Sequence, residues 1–471
     1  MKIVNFKDIE KNWTSEIPNF SFLPPDYKKV KRYNQETYCD KICAFDIETT
    51  TLRDIKQSFM YVWQFAIEDE LVIIGRTWEE FKKLVSILNT LAKYNKIVVF
   101  VHNLSYEFVY LSGIFPIDNE DVFIMDSRKI LKCNIGQLEF RCSYLLSNLS
   151  LKAFTDRYNV KHKKIDGDDF NYNIIRYPWT ELTELEKHYI INDVVGLIEA
   201  VHELMKLHGD NIYTLPLTST GLVRRVCRDK INEKIPVFDK YGKPVINKRG
   251  EELKVAVYKK EINKCFPSYD VFKMLRQEFR GGNTHANRYF STEIIKNVTS
   301  FDISSSYPSA QCNRNYPVEP FEPIKNISPR KIDKLLNLEK PLLFEVILKN
   351  VDLKYKYFPI PYIPTAKCRN LKGIRTDNGR ILHADELTIT VNDIDWKIIT
   401  TEYKFDNPII TSGFSSKYGK LPKPIIDCNI EFYKQKTELK GVEGQELYYS
   451  KNKELLNSIY IWNDSTKPGK T

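Results

Sequence analysis

Asp46 and Glu48 stand two residues apart in KICAFDIETTT. On a strand, that spacing puts both carboxylates on one face, where they repel each other unless a cation lies between them. Hard divalent ions such as Mg²⁺ take one or two carboxylates together with water and a substrate phosphate. Two further acids suit such a centre. Asp193 lies in the helical text HYIINDVV, with Tyr189 one turn before it on the same face. Glu107 follows an apolar run in VHNLSYEF. Four such groups suffice for two metals about 4 Å apart, one activating water and the other stabilising a leaving oxygen, and Tyr189 is placed to orient that water. Each piece alone is ordinary, since D-x-E recurs by chance and an acid on a helix usually faces solvent. Their order, and the elements that carry them, give the set its weight.

Those elements alternate from residue 41 to about 205. KICAFDIETTT reads as a strand, YVWQFAIE and ELVIIGR as paired strands, and TWEEFKKLVSILNTLAKY as a helix. KIVVFVHN is a buried strand run, and TELEKHYIINDVVGLIEAVHELMKLHG is a long amphipathic helix ending at Gly209. A mixed sheet flanked by helices follows from this order. Residues 1–40 are polar and contain prolines, an extension packed onto a domain. From 210 to 300 the pattern is helical, interrupted by a turn-rich hairpin in FDKYGKPVINKRGEELKVAV, and TSFDISSSYPS reads as a strand entering a turn. Residues 311–425 are rich in strands and prolines (FEVILKNV, YFPIPYIPTA, ELTITVNDIDW), with NGR as a hairpin turn. Helix returns from about 426 to 460.

Composition bounds the rest. The chain has 471 residues, enough for two to four domains, and its 42% hydrophobic and 28% charged shares are those of a globular protein. No apolar stretch approaches the roughly 20 residues of a membrane span, and the start lacks a signal-peptide core, so a cytoplasmic location is expected. The nine cysteines have no paired zinc spacing and read as reduced thiols. A net charge of +10 fits a polyanionic partner. The 28 tyrosines and 26 phenylalanines suit either a surface that stacks single-stranded bases or an aromatic-rich core.

AFDIETTT, VHNLSYEF and HYIINDVV together resemble the three exonuclease motifs of family B DNA polymerases, in the order and separation of the protein-primed subgroup. The resemblance implies metal binding by Asp46, Glu48, Glu107 and Asp193, and water positioning by Tyr189. It also implies contacts to a single-stranded primer end from Thr49, His102, Asn103, Tyr106 and Ser143. Lys164, with Lys161 and Lys163 as alternatives, corresponds to a lysine between the second and third motifs. Glu107 stands where the family usually has Asp, which keeps the charge but moves it by a methylene.

The resemblance continues. EFRGGNTHAN carries Phe279, Gly281 and Gly282 in a version of the family's Tyr-x-Gly-Gly element, which contacts the template strand. FDISSSYPS resembles polymerase motif A, implying that Asp302 binds catalytic metal at a strand end and that Tyr307 packs under the nucleotide sugar. YSKNKELLNSIYIW resembles motif B, with Lys453, Asn457 and Tyr460 on one helix face for the incoming nucleotide, and Lys436 corresponds to a second triphosphate-binding lysine. The implied fold is α/β: a ribonuclease-H-like 3′→5′ exonuclease domain (41–210), then an α+β partial palm (211–310), an inserted domain of the kind that meets the priming protein (311–425) and fingers helices (426–460).

Motif C and the thumb do not appear before the final residue, and residues 461–471 leave the family pattern. The expectation is a coding sequence interrupted after Tyr460, against the alternatives of a frameshift or a true terminus, with a second chain carrying the remainder. Expected partners are DNA as primer-template and single strand, deoxynucleoside triphosphates and a terminal priming protein. The expected cofactor is Mg²⁺ or Mn²⁺. Two other readings stay open: a self-sufficient single-strand exonuclease, and a silent subunit that binds DNA or the priming protein.

Overall fold

Apolar alternation in the first strands sorts their side chains onto two faces, and each face has its own cover. A computed structural model describes residues 1–23, 36–126, 129–165, 174–247, 250–256, 258–259, 268–355 and 361–462. The chain separates into two units, Met1–Leu222 and Val223–Thr471.

The first unit is a mixed sheet. Its strands are β1 (Lys2–Asn5), β2 (Phe22–Leu23), β3 (Tyr38–Leu52), β4 (Gln57–Ile67), β5 (Leu71–Gly75), β6 (Lys96–Val101), β7 (Val122–Asp126), β8 (Lys129–Ile135) and β9 (Leu138–Cys142). They lie in the order β1-β5-β4-β3-β6-β9-β8-β7, with β2 paired to β3. β3 is antiparallel to β4 and parallel to β6, so it sits in the middle of the sheet. Phe45 and Ile47 point to the face packed by helix α1 (Trp78–Ala92), whose Phe81, Leu84 and Leu88 are fully buried. Ala44 points to the opposite face, covered by α3 (Leu151–Arg157) and α4 (Glu184–His208) through Ile190, Val194, Leu197 and Val201. Between them, α2 (Leu104–Ile114) follows β6.

Local sequence explains these helices. Thr77 with Glu80, and Thr183 with Glu186, form capping boxes at the starts of α1 and α4. Gly209 ends α4 at φ 64°, as the sequence predicts. Residues 1–40 are more than an extension. β1 adds to the sheet in parallel with β5, and Phe6, Ile9 and Ile17 are buried in the core.

The second unit has an antiparallel sheet and a helical part. Its labelled elements are α5 (Tyr269–Glu278), α6 (Ser306–Asn313), α7 (Pro329–Asn337), β10 (Leu342–Leu353), β11 (Cys368–Lys372), β12 (Arg380–Asn392), α8 (Asp393–Glu402), β13 (Ile409–Ser415), α9 (Lys423–Glu438) and α10 (Glu446–Trp462). The sheet runs Glu322–Pro323, β13, β10, β12, β11. Leu342, Phe344, Val346 and Leu348 alternate onto one face with Leu387, Ile389 and Val391, and Ile332, Trp396 and Ile399 of α7 and α8 pack there. Leu343 points the other way, to Val271 and Met274 of α5.

The NGR turn is a hairpin, with Asp377 paired to Arg380 and positive φ at Asn378 and Gly379. Two expectations are corrected. ELTITVNDIDW does not stay extended, because the Asn392 side chain accepts from the Asp395 amide and starts α8. FDIS is not a strand: residues 301–303 carry no strand hydrogen bonds and are exposed. A strand needs a neighbour, and among the described residues none runs beside this stretch. YFPIPYIPTA lies partly outside the described residues, as do residues 463–471 of the tail.

Candidate active site

Strand parity and helix placement bring the first carboxylates together. Asp46 and Glu48 share the face of Ala44, under α4, and Asp193 of α4 meets them there. One carboxylate oxygen from each of the three lies within 4.8 Å of the others. Glu107, buried in the first turn of α2, lies beside Asp46.

The set is crowded with negative charge. Burial first, then Asp193, pushes the Asp46 carboxyl up to about 7. Burial, then Asp46 and Asp193, raises Glu48 well above the usual range, and burial with Asp46 does the same to Glu107. Burial also raises Asp193, although the adjacent Lys164 ammonium works against it. Asp193 Oδ1 and Glu107 Oε2 are buried with no hydrogen-bond partner among the described residues. A site short of positive charge, with unpaired carboxylate oxygens, suits a divalent cation such as Mg²⁺ or Mn²⁺.

Of the three lysines the sequence left open, Lys164 enters the site. Its Nζ donates to Asp193 Oδ2 at 2.5 Å and to the Tyr189 hydroxyl at 2.9 Å, and lies 4.4 Å from the centre of the Tyr189 ring. Burial works to lower the Lys164 pKa, but Asp193, then Asp46 and Glu48, outweigh it and the shift is upward, so it stays an ammonium. Two features seat its loop on α4. His162 binds Glu199 through its backbone amide at 2.9 Å and its Nδ1 at 2.7 Å. Gly196, one turn beyond Asp193, lies so close that a Cβ there would sit 2.0 Å from the His162 carbonyl oxygen.

One contributor was missed from sequence. Gln64, fully buried on β4, is the cross-strand partner of Asp46, and its Nε2 donates to Asp46 Oδ2 at 2.6 Å. It fixes the rotation of that carboxylate. Its only signal was a polar residue inside the apolar strand YVWQFAI.

The other expected single-strand contacts border this centre. The Thr49 and Tyr106 hydroxyls are 2.6 Å apart. His102 Nδ1 lies 3.0 Å from Ser143 Oγ, and Ser143, with no exposed surface, also donates to the Val101 carbonyl. Burial lowers His102 to about 4, which leaves it neutral at physiological pH. Asn103 turns the chain from β6 into α2 at φ 73°.

The second unit holds the remaining expected residues in a different state. Asp302 is exposed on an irregular stretch and, among the described residues, joins no carboxylate group like that of Asp46. Its neighbourhood is partly assembled. Lys436 of α9 donates to Ser305 Oγ at 2.9 Å, at the start of α6. A Cβ on Gly282 would meet the Tyr307 hydroxyl at 2.9 Å, so the Gly-Gly element lies against that tyrosine. Lys453 and Asn457 face solvent on α10, opposite the buried Leu455, Leu456 and Ile459; the Tyr460 side chain lies outside the described residues.

Phe279 ends α5, and Gly281 has open space around it. Between them, Arg280 donates to Asp395 Oδ2 at 2.8 Å, and Tyr362 donates to the other oxygen of that carboxylate. Asn392 donates to Glu278 at 2.6 Å. A cavity of 550 Å³ borders this cluster, lined in part by Arg280, Gly282, Lys367 and Arg380.

No protein-family model matches the sequence. Over 205 residues, 43% of this chain, it is 30% identical to the DNA polymerase of Bacillus phage Nf, and over 190 residues, 40% of the chain, 30% identical to that of Bacillus phage B103. The matched stretches span only 32% and 31% of those relatives' lengths. Among solved structures, phi29 DNA polymerase with primer-template DNA matches with a TM-score of 0.63 at 17% identity, covering 90% of this chain and 68% of that one. The same enzyme with single-stranded DNA gives a TM-score of 0.61 at 18% identity, with the same coverage. At such identities the structural match speaks for the fold.

Proposed function

We propose, from the premise that this chain belongs to the protein-primed family B DNA polymerases, that its first unit is a 3′→5′ exonuclease removing nucleotides from a single-stranded primer end. The second unit is then the beginning of the polymerase, with palm, inserted domain and fingers. The observation that carries the reading is the group of Asp46, Glu48 and Asp193, set within 4.8 Å and joined through Lys164 to Tyr189.

Asp46, Glu48 and Asp193, with Glu107 behind Asp46, are the residues that would hold divalent metal. When bound, the metal supplies the positive charge that favours a water-derived nucleophile and offsets charge on the leaving oxygen. The chain's own side chains do the rest. Tyr189 and Lys164 present a hydroxyl and an ammonium beside Asp193 that orient water towards the phosphate, and Lys164 keeps its proton. Thr49 and Tyr106 hold the terminal nucleotide, with neutral His102 and Asn103 beside them and Ser143 fixing His102. In the second unit, Asp302 serves the polymerase metal site. Lys436, Lys453, Asn457 and Tyr460 meet the nucleotide, with Tyr307 under its sugar. Phe279, Gly281 and Gly282 follow the template. DNA, deoxynucleoside triphosphates and a terminal priming protein are the partners, and the host cytoplasm is the place of action.

The test is degradation of an end-labelled single strand with Mg²⁺. The wild type should shorten it from the 3′ end, and Asp46→Ala should not. Equal cleavage by Asp46→Ala would refute the site, and an inert wild type would favour a binding subunit. A self-sufficient exonuclease is the second reading, favoured by the exposed, isolated Asp302.

A further inference from the structure

Beside Thr50, near the end of β3, three aromatic rings stand in a row. Phe59 of β4 is the cross-strand partner of Thr50. Its ring lies 5.7 Å from that of Tyr177, with planes 20° apart, and Tyr177 lies 4.9 Å from Trp179, with planes 2° apart. Trp179, at the outer end, is 79% exposed. Folding normally hides an indole, since burying a large apolar side chain is favourable.

This exposure does not come from a loose segment. Arg76 donates to the carbonyls of Tyr177 and Thr180 at 3.0 and 2.7 Å, and the Tyr177 amide donates to Thr180 Oγ1 at 2.8 Å. The Arg176 amide donates to Thr50 Oγ1 at 3.1 Å, and its guanidinium pairs with buried Glu186. The segment is tied to the strand that carries Asp46 and Glu48, and it holds one flat aromatic face towards solvent.

We propose that Trp179 is a stacking subsite for a nucleobase of the single strand, a few nucleotides back from the scissile phosphate. The proposal rests on the exonuclease reading above and extends its substrate path. Thr50 is two residues past Glu48, about 7 Å along the strand, and the ring row starts there, next to the Thr49–Tyr106 pair that borders the carboxylates. Parallel planes at stacking distance continue naturally into one more ring, and every base offers such a face whatever its sequence. The hairpin tip before Phe59 adds exposed Arg53 and Lys56, the chemistry for backbone phosphates, beside a single acid, Asp54.

The test measures binding of a labelled strand of about ten nucleotides, within the usual footprint of single-strand sites, by anisotropy in EDTA so that nothing is cleaved. It adds KM with Mg²⁺ for that strand against a trinucleotide. Trp179→Ala should bind the longer strand roughly 5- to 150-fold more weakly, the range for loss of one base stack, and should lose the preference for length. Trp179→Phe should recover most of both. Wild-type affinity in Trp179→Ala would overturn the subsite, as would equal losses on both substrates. A wild type that neither binds nor cuts single strands would overturn the exonuclease reading and the subsite with it.

Discussion

Asp46 and Asp302 are the first acid of each expected metal site, and the fold treats them in opposite ways. Asp46 sits on a strand with hydrogen-bonded neighbours on both sides and a helix over its face. Its direction is set by the pleat, its rotation by Gln64, and its proton affinity by burial beside Asp193. Asp302 lies on exposed, irregular chain with no strand beside it among the described residues. The lesson is that an aspartate becomes a candidate for holding a cation through its neighbours. Strand pairing aims it, a covering element removes water, and other carboxylates make a cation worth more than a proton.

That contrast can be broken directly. Asp193→Ala should lower Mg²⁺-dependent cleavage of single strands by at least about 100-fold, whereas Asp302→Ala should leave it within about twofold, as expected of independent sites. A tenfold or greater loss in Asp302→Ala would mean that the two sites are not separate.

A smaller effect sharpens the account of Asp46. Gln64→Leu keeps the side-chain volume but removes the donor to Oδ2, a hydrogen bond to a charged group. Cleavage should fall by about tenfold, the low end for such a bond, with the fold retained as judged by circular dichroism. An undiminished rate would show that the remaining carboxylates hold Asp46 without help.

The smallest effect belongs to the second unit. Burial, then Asp395, raises the Glu278 carboxyl from 4.5 to about 7. A raised acid binds its proton more tightly when folded, so the stability it contributes is complete below pH 4.5 and is lost as pH rises through about 7. The thermal midpoint of the wild type should therefore decline across that window, and Glu278→Gln should flatten the decline. An identical slope in the variant would remove Glu278 from the account.

What could be read from residues alone was the local and the periodic. Asp46 and Glu48 share a face because strands alternate, and the α4 helix ends where Gly209 says it should. Gln64 was illegible because its role depends on the β3–β4 register, which includes a bulge between Glu48 and Thr49. Lys164 could be narrowed only to three lysines, since the choice is made by how a loop sits on α4. β1 was missed because KIVN is short and finds its partner, β5, far along the chain. FDIS failed in the opposite sense: its pattern is that of a strand, but pattern cannot supply the neighbour that a strand requires. The amino-terminal segment, set apart from the following strands by its polar composition, belongs to the same core as they do.

Gly196 shows how such a centre can be lost without touching any of its polar side chains. It carries no side chain and appears in no motif, yet the backbone of His162 occupies the space a methyl would need. Lys164, two residues further on, owes its position to that vacancy. Divergence at this one codon would lift the loop and withdraw the ammonium from Tyr189 and Asp193 while every carboxylate remained in place. Decay of the site in a lineage would then leave all three motifs intact, and a reader of motifs alone would still count the site as whole.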